Sequence, residues 1–202
     1  MVGIPLETTV TKKADSFSAG NTIAKTGTAY PTSQAEADTK TSGLALPTAA
    51  LSYDLQNNSV TEVTYDRYDS AGNLLQYTTK AGIPVAIIWG YQQTQPIAKI
   101  EGATYSQVSS LAATLISAAD LDAVDPTKEG ALISALDSFR TDPSMANFQI
   151  TTYTYDPSIG VTSITPPSGI RELYQYDAAN RLQSVLDVNG NILKEYKYNY
   201  KP

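Results

Sequence analysis

Four aspartates stand in pairs that could do acid–base work, Asp66 with Asp69 and Asp177 with Asp187. Glycoside hydrolysis needs two carboxyls held across a cleft, one of them with its proton affinity raised by burial. The run Asp187-Val188-Asn189-Gly190-Asn191, like Asp69 to Asn73, also has the oxygen-rich look of a calcium loop. An EF-hand loop, however, needs alternating oxygen ligands with Gly at its sixth position and Glu at its twelfth. Gly190 comes too early, and Lys194 and Glu195 do not supply the closing ligand. All four aspartates fall at or beside expected turns, where Asp is favoured because it bonds the local backbone. Turn formation is therefore the expected role, not catalysis or metal binding.

The missing residue types narrow the chemistry further. The chain has 202 residues and neither histidine nor cysteine. That removes the commonest general base near neutral pH, the commonest metal ligand, any disulfide and any thiolate nucleophile. Catalysis would rest on carboxylates, lysine or tyrosine alone, so no catalytic, cofactor-binding or metal-binding residue is expected. A net charge of -6 argues against nucleic acid as a partner. No segment approaches the ~20 apolar residues of a membrane helix. Met1 to Glu7 lacks the basic start and apolar run of a signal peptide, so an exported chain would be an internal piece of something larger.

Tyrosine dominates the aromatic residues, 14 against Phe 3 and Trp 1. Its ring suits a strand with one face buried and its hydroxyl suits the water beside it. Tyr153/Tyr155, Tyr174/Tyr176 and Tyr196/Tyr198/Tyr200 place aromatics two residues apart, hence on one face of successive strands. Such rows either stack on sugar rings or form cross-strand pairs worth ~0.2–1 kcal/mol each. Structural pairing is the favoured reading. Trp89, inside an apolar run, reads as core.

The elements that must hold these residues are mostly hairpins. Leu6 to Thr11 and Thr22 to Tyr30 read as strands, and Ser33 to Lys40 as a short helix or a loop; Pro31, Gly43 and Pro47 punctuate the region. Disorder is the rival reading for this Thr-, Ser- and Ala-rich stretch. From Val60, residues Val63, Tyr65 and Tyr68 lead into the turn Asp69 to Asn73, followed by Leu74, Leu75 and Tyr77. After a turn at Lys80-Ala81-Gly82, Pro84 to Tyr91 is a nearly continuous apolar run, a strand buried on both faces or covered on one.

The cover follows in the chain. Thr104 and Gln107 have capping-box spacing, with Val108, Leu111, Leu115 and Ala118 on one helical face. Asp125-Pro126 starts a second helix with the stripe Leu132, Leu136 and Phe139, and Asp142-Pro143 ends it. Strands resume from Phe148 to Tyr155 and from Val161 to Thr165, with turns at Asp156 to Gly160 and Pro166 to Gly169.

Tyr68-Asp69-x-x-Gly72-Asn73-Leu74, Tyr155-Asp156 and Tyr176-Asp177-x-x-Asn180-Arg181-Leu182 repeat one another. The last continues as an apolar strand, a turn at Asp187 to Gly190, and Tyr196-Lys197-Tyr198. This pattern resembles the YD repeat of RHS-type proteins, roughly Tyr-x-Tyr-Asp-x-x-Gly-Arg-Leu, an apolar strand, then Asp-x-x-Gly. Asn180 stands where that family has Gly, and both residues tolerate the positive φ of a hairpin turn. Ile88 to Tyr91, Pro96 to Glu101, the helical insert and Gly160 to Pro167 are similar, in that order, to RHS-repeat proteins of Bacteroidetes-type bacteria. The resemblance runs from about Val63 to Tyr200, while residues before Leu51 match loosely.

The resemblance implies a mainly β fold: an antiparallel sheet of YD-repeat hairpins, a strip of a larger shell, with a two-helix insert. Residues 1–59 would continue the sheet as β or irregular structure, 60–103 hold the first hairpins, 104–145 the insert and 146–202 the last hairpins. The repeat would rest on Tyr68, Asp69, Gly72, Tyr155, Asp156, Tyr174, Tyr176, Asp177, Asn180, Arg181, Leu182, Asp187, Gly190, Tyr196 and Tyr198. Its implied role is structural: a wall that encloses or displays other parts of a large secreted or cell-surface protein, such as a polymorphic toxin. The implied partners are neighbouring repeats, the rest of the polypeptide and an enclosed C-terminal toxin domain. A carbohydrate-binding or adhesive module, with glycans as partners, is the alternative.

Overall fold

The computed structural model describes residues 6–18 and 20–199, which leaves Tyr200 of the expected aromatic row outside the described residues. Among the described residues, twelve strands form one antiparallel sheet whose spatial order is the order of the chain. The chain divides into two compact units, residues 1–85 and 86–202, and each is described by itself.

The first unit begins with β1 (Glu7–Lys12) and β2 (Asn21–Ala29), then α1 (Gln34–Lys40), β3 (Ala49–Tyr53), β4 (Ser59–Tyr68) and β5 (Leu74–Thr79). Helix α1 resolves the open reading of Ser33 to Lys40. The Ser33 hydroxyl accepts from the Glu36 N–H at 3.2 Å, and Lys40 pairs with Glu36 one turn earlier at 3.1 Å. Strand β3 has no counterpart in the sequence reading, since Ala-Ala-Leu-Ser-Tyr alternates too weakly to announce a strand. Asp66, expected beside a turn, lies inside β4. Its neighbours Tyr65 and Arg67 face Tyr77 and Gln76, so Asp66 is the extra residue of a β-bulge. Its carboxylate accepts from Thr78 Oγ1 at 2.7 Å and Gln76 Nε2 at 3.3 Å across the ladder.

The second unit holds most of β6 (Pro84–Gly90), then β7 (Gln95–Glu101), α2 (Tyr105–Asp122), α3 (Glu129–Thr141), β8 (Gln149–Asp156), β9 (Gly160–Thr165), β10 (Glu172–Tyr176), β11 (Leu182–Leu186) and β12 (Ile192–Glu195). Its core joins Ala86 and Ile88 of β6, Ile97 and Ile100 of β7 and Ile150 of β8 to Val108, Leu115, Leu132, Leu136 and Phe139 of the helices. The apolar run is thus covered on one face. Ala86, Ile88 and Gly90 are buried, whereas Ile87 and Trp89, the latter expected in the core, are half-buried on the opposite face.

The capping box of α2 forms, with the Thr104 N–H donating to Gln107 Oε1 at 2.8 Å. The buried stripe of α2 is rotated from the expected one: Val108, Ala112, Leu115, Ala119 and Asp122 point inward, with Leu111 and Ala118 half-buried at its edges. Small residues explain the rotation. A Cβ placed on Gly90 would come within 2.6 Å of Ala119 Cβ, so the helix approaches β6 as closely as glycine and alanine allow. Asp125 accepts from Thr127 N–H at 3.0 Å to cap a 3-10 turn, Pro126–Lys128, ahead of α3. Asp142 begins another such turn, Pro143–Met145, whose Met145 is buried. The Arg140 guanidinium donates to the carbonyls of Ile150, Thr165 (3.1 Å) and Pro166 (2.6 Å), tying α3 to β8 and the end of β9.

Candidate functional site

One hairpin closure recurs through both units. Tyr53 pairs with Ser59, Tyr68 with Leu74, Tyr155 with Val161, Tyr176 with Leu182 and Leu186 with Ile192, each pair six residues apart. In all five the residue after the leading one is an aspartate, and in four of them its carboxylate organises the turn in the same way. Asp69 Oδ1 accepts from the N–H of Ala71 (2.9 Å) and Asn73 (2.8 Å), and Oδ2 from the Asn73 side chain (3.1 Å). Asp54 does the same with Gln56 and Asn58, Asp187 with Asn189 and Asn191, and Asp177 with Ala179 and Arg181.

Three residues past each of these aspartates the backbone is left-handed, at Asn57 (φ 66), Gly72 (φ 89), Asn180 (φ 58) and Gly190 (φ 82). That requirement explains why Asn replaces Gly at 180 without loss of the turn. Bonds to the charged carboxylate hold Asp54, Asp177 and Asp187 below their ordinary proton affinity. The leading cause is the side chain of Asn58, Arg181 and Asn191 respectively. Asp156 closes a shorter variant, accepting from the Ser158 N–H at 2.8 Å ahead of Gly160.

The tyrosine before the aspartate has a job of its own. The hydroxyl of Tyr68 donates to Pro47 O at 3.0 Å, that of Tyr155 to Pro96 O at 2.9 Å and that of Tyr176 to Val161 O at 2.8 Å. In each case the acceptor lies at or just before the start of the preceding strand. Aspartate thus shapes the turn ahead while tyrosine pins the strand behind. Burial pushes the phenols of Tyr68 and Tyr155 up to about 12. Tyr174, whose hydroxyl donates to Glu172 at 2.9 Å, is likewise raised to about 12, first by burial.

The last aromatic pair departs from the expected strand. β12 ends at Glu195, before Tyr196 and Tyr198. The chain still runs beside β11, because Tyr196 N–H donates to Gln183 O at 2.9 Å and Tyr198 donates to Leu182 O at 2.7 Å. The Arg181 guanidinium sits 4.5 Å from the centre of the Tyr198 ring, a cation–π contact. Ring-to-ring contacts occur at Tyr65–Tyr68 (6.3 Å), Tyr153–Tyr155 (6.5 Å) and Tyr91–Tyr155 (5.4 Å, edge to face). The last joins the turn after β6 to β8, an arrangement different from the ladder of adjacent-strand pairs read from spacing alone.

A second polar constellation, absent from the sequence reading, lies where the helices meet the sheet. The Tyr91 hydroxyl donates to Asp122 Oδ2 at 2.6 Å and accepts from the Tyr155 N–H at 2.8 Å. Glu129 accepts from Thr154 Oγ1 at 2.8 Å and from Thr162 Oγ1. Asp122, Glu129 and Asp156 line a cleft of about 90 Å³ with Pro126, Tyr155, Pro157 and Thr162. Asp122 is 3% exposed, and burial raises its proton affinity above the ordinary carboxylate value, with Glu129, Asp156 and Asp125 adding to the rise against the Tyr91 bond. One signal could have found it: Asp122 falls seven residues past Leu115 and fourteen past Val108, squarely on an apolar stripe.

No curated protein matches the chain. Among solved structures it is similar to the crystal structure of TcdB2-TccC3-TEV, at 13% identity and a TM-score of 0.22, over 97% of this chain and 12% of that one. It is also similar to the crystal structure of TcdB2-TccC3 without hypervariable C-terminal region, at 12% identity and 0.21, over 96% and 12%. The chain therefore spans about an eighth of the length of these structures. The segment from β9 to the start of β12, residues 160–192, matches the family model described as RHS Repeat.

Proposed function

We propose that this chain is a non-enzymatic wall segment of a larger secreted or cell-surface RHS-repeat polypeptide, whose sheet encloses or displays other parts of that polypeptide, a C-terminal toxin domain among them. The observation that carries the proposal is the recurrent Tyr–Asp hairpin. It takes the same geometry inside and outside the segment that matches the repeat model, at Asp54, Asp69 and Asp177 alike. A strip in which every strand pairs with its neighbours in the chain can be lengthened one hairpin at a time. Its action is steric, because a continuous ladder of backbone hydrogen bonds separates what lies on its two sides.

The aspartates first weighed as catalytic pairs, Asp66 with Asp69 and Asp177 with Asp187, spend their oxygens on turn and ladder donors, which supports a structural role. Tyrosine hydroxyls bonded to backbone carbonyls weigh the same way against a glycan-binding face. No helix among the described residues is long and apolar enough to cross a membrane.

The outer strand β12 is exposed throughout, with Ile192 63% and Leu193 49% exposed. Expressed alone, the chain is expected to self-associate or to bind a dye that reports apolar surface, and adding the next repeats is expected to suppress both. A strictly monomeric chain with no dye binding, unchanged by added repeats, would overturn the proposal. Saturable binding on a broad glycan array, abolished by Tyr176→Ala at unchanged stability, would transfer the case to the adhesive reading.

A further inference from the structure

The joint between helices and sheet is built from acids and phenols. Asp122 closes the buried stripe of α2, and its carboxylate meets the Tyr91 hydroxyl at 2.6 Å. Tyr91 sits in a turn where three successive non-glycine residues, Tyr91, Gln92 and Gln93, are left-handed (φ 52, 58 and 64). The turn is held by the same end of α2, because Gln92 N–H donates to Asp120 Oδ1 at 2.6 Å. From α3, Glu129 lines the cleft, and from β8, Tyr155 and Asp156; Asp125, in the connection between the helices, lies outside the lining but adds its charge to those acting on Asp122. The cation nearest in sequence is Lys128, 3.8 Å from Asp125 Oδ2, and it is not among the residues lining the cleft.

We propose that the carboxyl cluster centred on Asp122 is a proton-operated latch, fastening the helical insert to the sheet more tightly in mildly acidic than in neutral solution. In neutral solution the joint gathers the negative charges of Glu129, Asp156 and Asp125 around a carboxyl removed from water. Each added charge there is disfavoured by desolvation and by repulsion. A proton taken up from solution neutralises one member and leaves the Tyr91 and Tyr155 bonds in place. Burial of Asp122 sets the direction: a carboxyl whose proton affinity is higher folded than unfolded binds more protons in the folded state, so stability falls as pH rises through its folded titration. The latch concerns the insert alone and holds whether or not the sheet is the wall of a shell.

The test is hydrogen–deuterium exchange of the whole chain, followed on peptides from α2 and α3 and corrected for the intrinsic pH dependence of exchange. Protection of the insert is expected to rise several-fold from about pH 8 to about pH 5, and this rise should vanish in Asp122→Asn, which keeps an acceptor for Tyr91. Should Asp122→Asn fail to fold, Asp156→Asn removes one surrounding charge while leaving the Asp122–Tyr91 bond intact. It is expected to raise protection at about pH 8 and flatten the profile. Protection that is flat or falls toward acid in the wild type would overturn the latch, as would a rise that persists unchanged in either variant.

Discussion

Two stretches of the second unit each turn a hairpin on an aspartate, under different cover. From β6 to β9 the sheet carries α2 and α3, and the side chains between them are sealed from water, Ile88, Ile97, Ile100 and Leu132 among them. From β10 to β12 little is buried beyond Val185 and Ser184, and β12 is exposed along its whole length. An aspartate nevertheless shapes a turn on both sides of that divide, Asp156 in the covered stretch and Asp177 and Asp187 in the bare one. Hairpin geometry here is set locally, by an aspartate and a left-handed residue, while stability differs from region to region with what lies over the sheet.

The largest test of that division is truncation in the covered region. Leu136→Ala is expected to lower the free energy of unfolding by ~2–5 kcal/mol in a urea titration, because Leu136 is 2% exposed on the buried face of α3. Ile192→Ala in β12 should change it by under ~0.5 kcal/mol. Equal losses would erase the distinction.

Filling the close approach comes next. Gly90→Ala puts a methyl against Ala119 and Ile97, and overpacking of this kind costs ~1–3 kcal/mol, to be read in the same titration. A neutral result would show that α2 can step back from β6. In the bare region, Tyr176→Phe removes only the bond to Val161 O and is expected to lose ~0.5–1.5 kcal/mol, with faster amide exchange confined to β9 and β10.

The smallest effect has the opposite pH sign from the latch. Asp54, Asp177 and Asp187 titrate below their ordinary value of 3.8 when folded, so their turns contribute stability that is present above that value and lost as pH falls through the folded one. Asp187→Asn should therefore remove part of the acid sensitivity of the last hairpin, read by exchange at Val188 to Asn191. Unchanged acid sensitivity would mean that the carboxylate charge does not matter to the turn.

Much of this was readable in the chain. Tyr68-Asp69 and Tyr176-Asp177 announce their turns because everything the turn needs lies within five residues. The capping box at Thr104 is local in the same way. Tyr53-Asp54 carries the same dipeptide without announcing its turn, since the strand before it is short and weakly alternating. The rotation of α2 is hidden for a different reason: Leu111 outranks Ala112 by hydrophobicity, but the close approach of Ala119 to Gly90 sets which face of the helix turns inward. The Tyr91–Asp122 joint brings together residues thirty-one apart, and no local pattern encodes such a meeting.

The order of the strands has a consequence for how the molecule is made. When every strand pairs with its chain neighbours, each new hairpin can zip onto an edge already formed, and the ends that must meet are only a few residues apart. The exceptions are the step from Ala29 to Ala49 across α1 and the far longer one from Glu101 to Gln149, where β8 must find β7 across the whole helical insert. Closing so long a loop costs roughly 2 kcal/mol more than closing a five-residue turn if the insert is still disordered. Helices α2 and α3 shorten that search if they dock first on β6 and β7, which a ribosome delivers before them. The insert then acts as the assembly jig for the second half of the sheet, and a chain whose insert cannot form its helices is expected to stall with β7 as a growing edge left open.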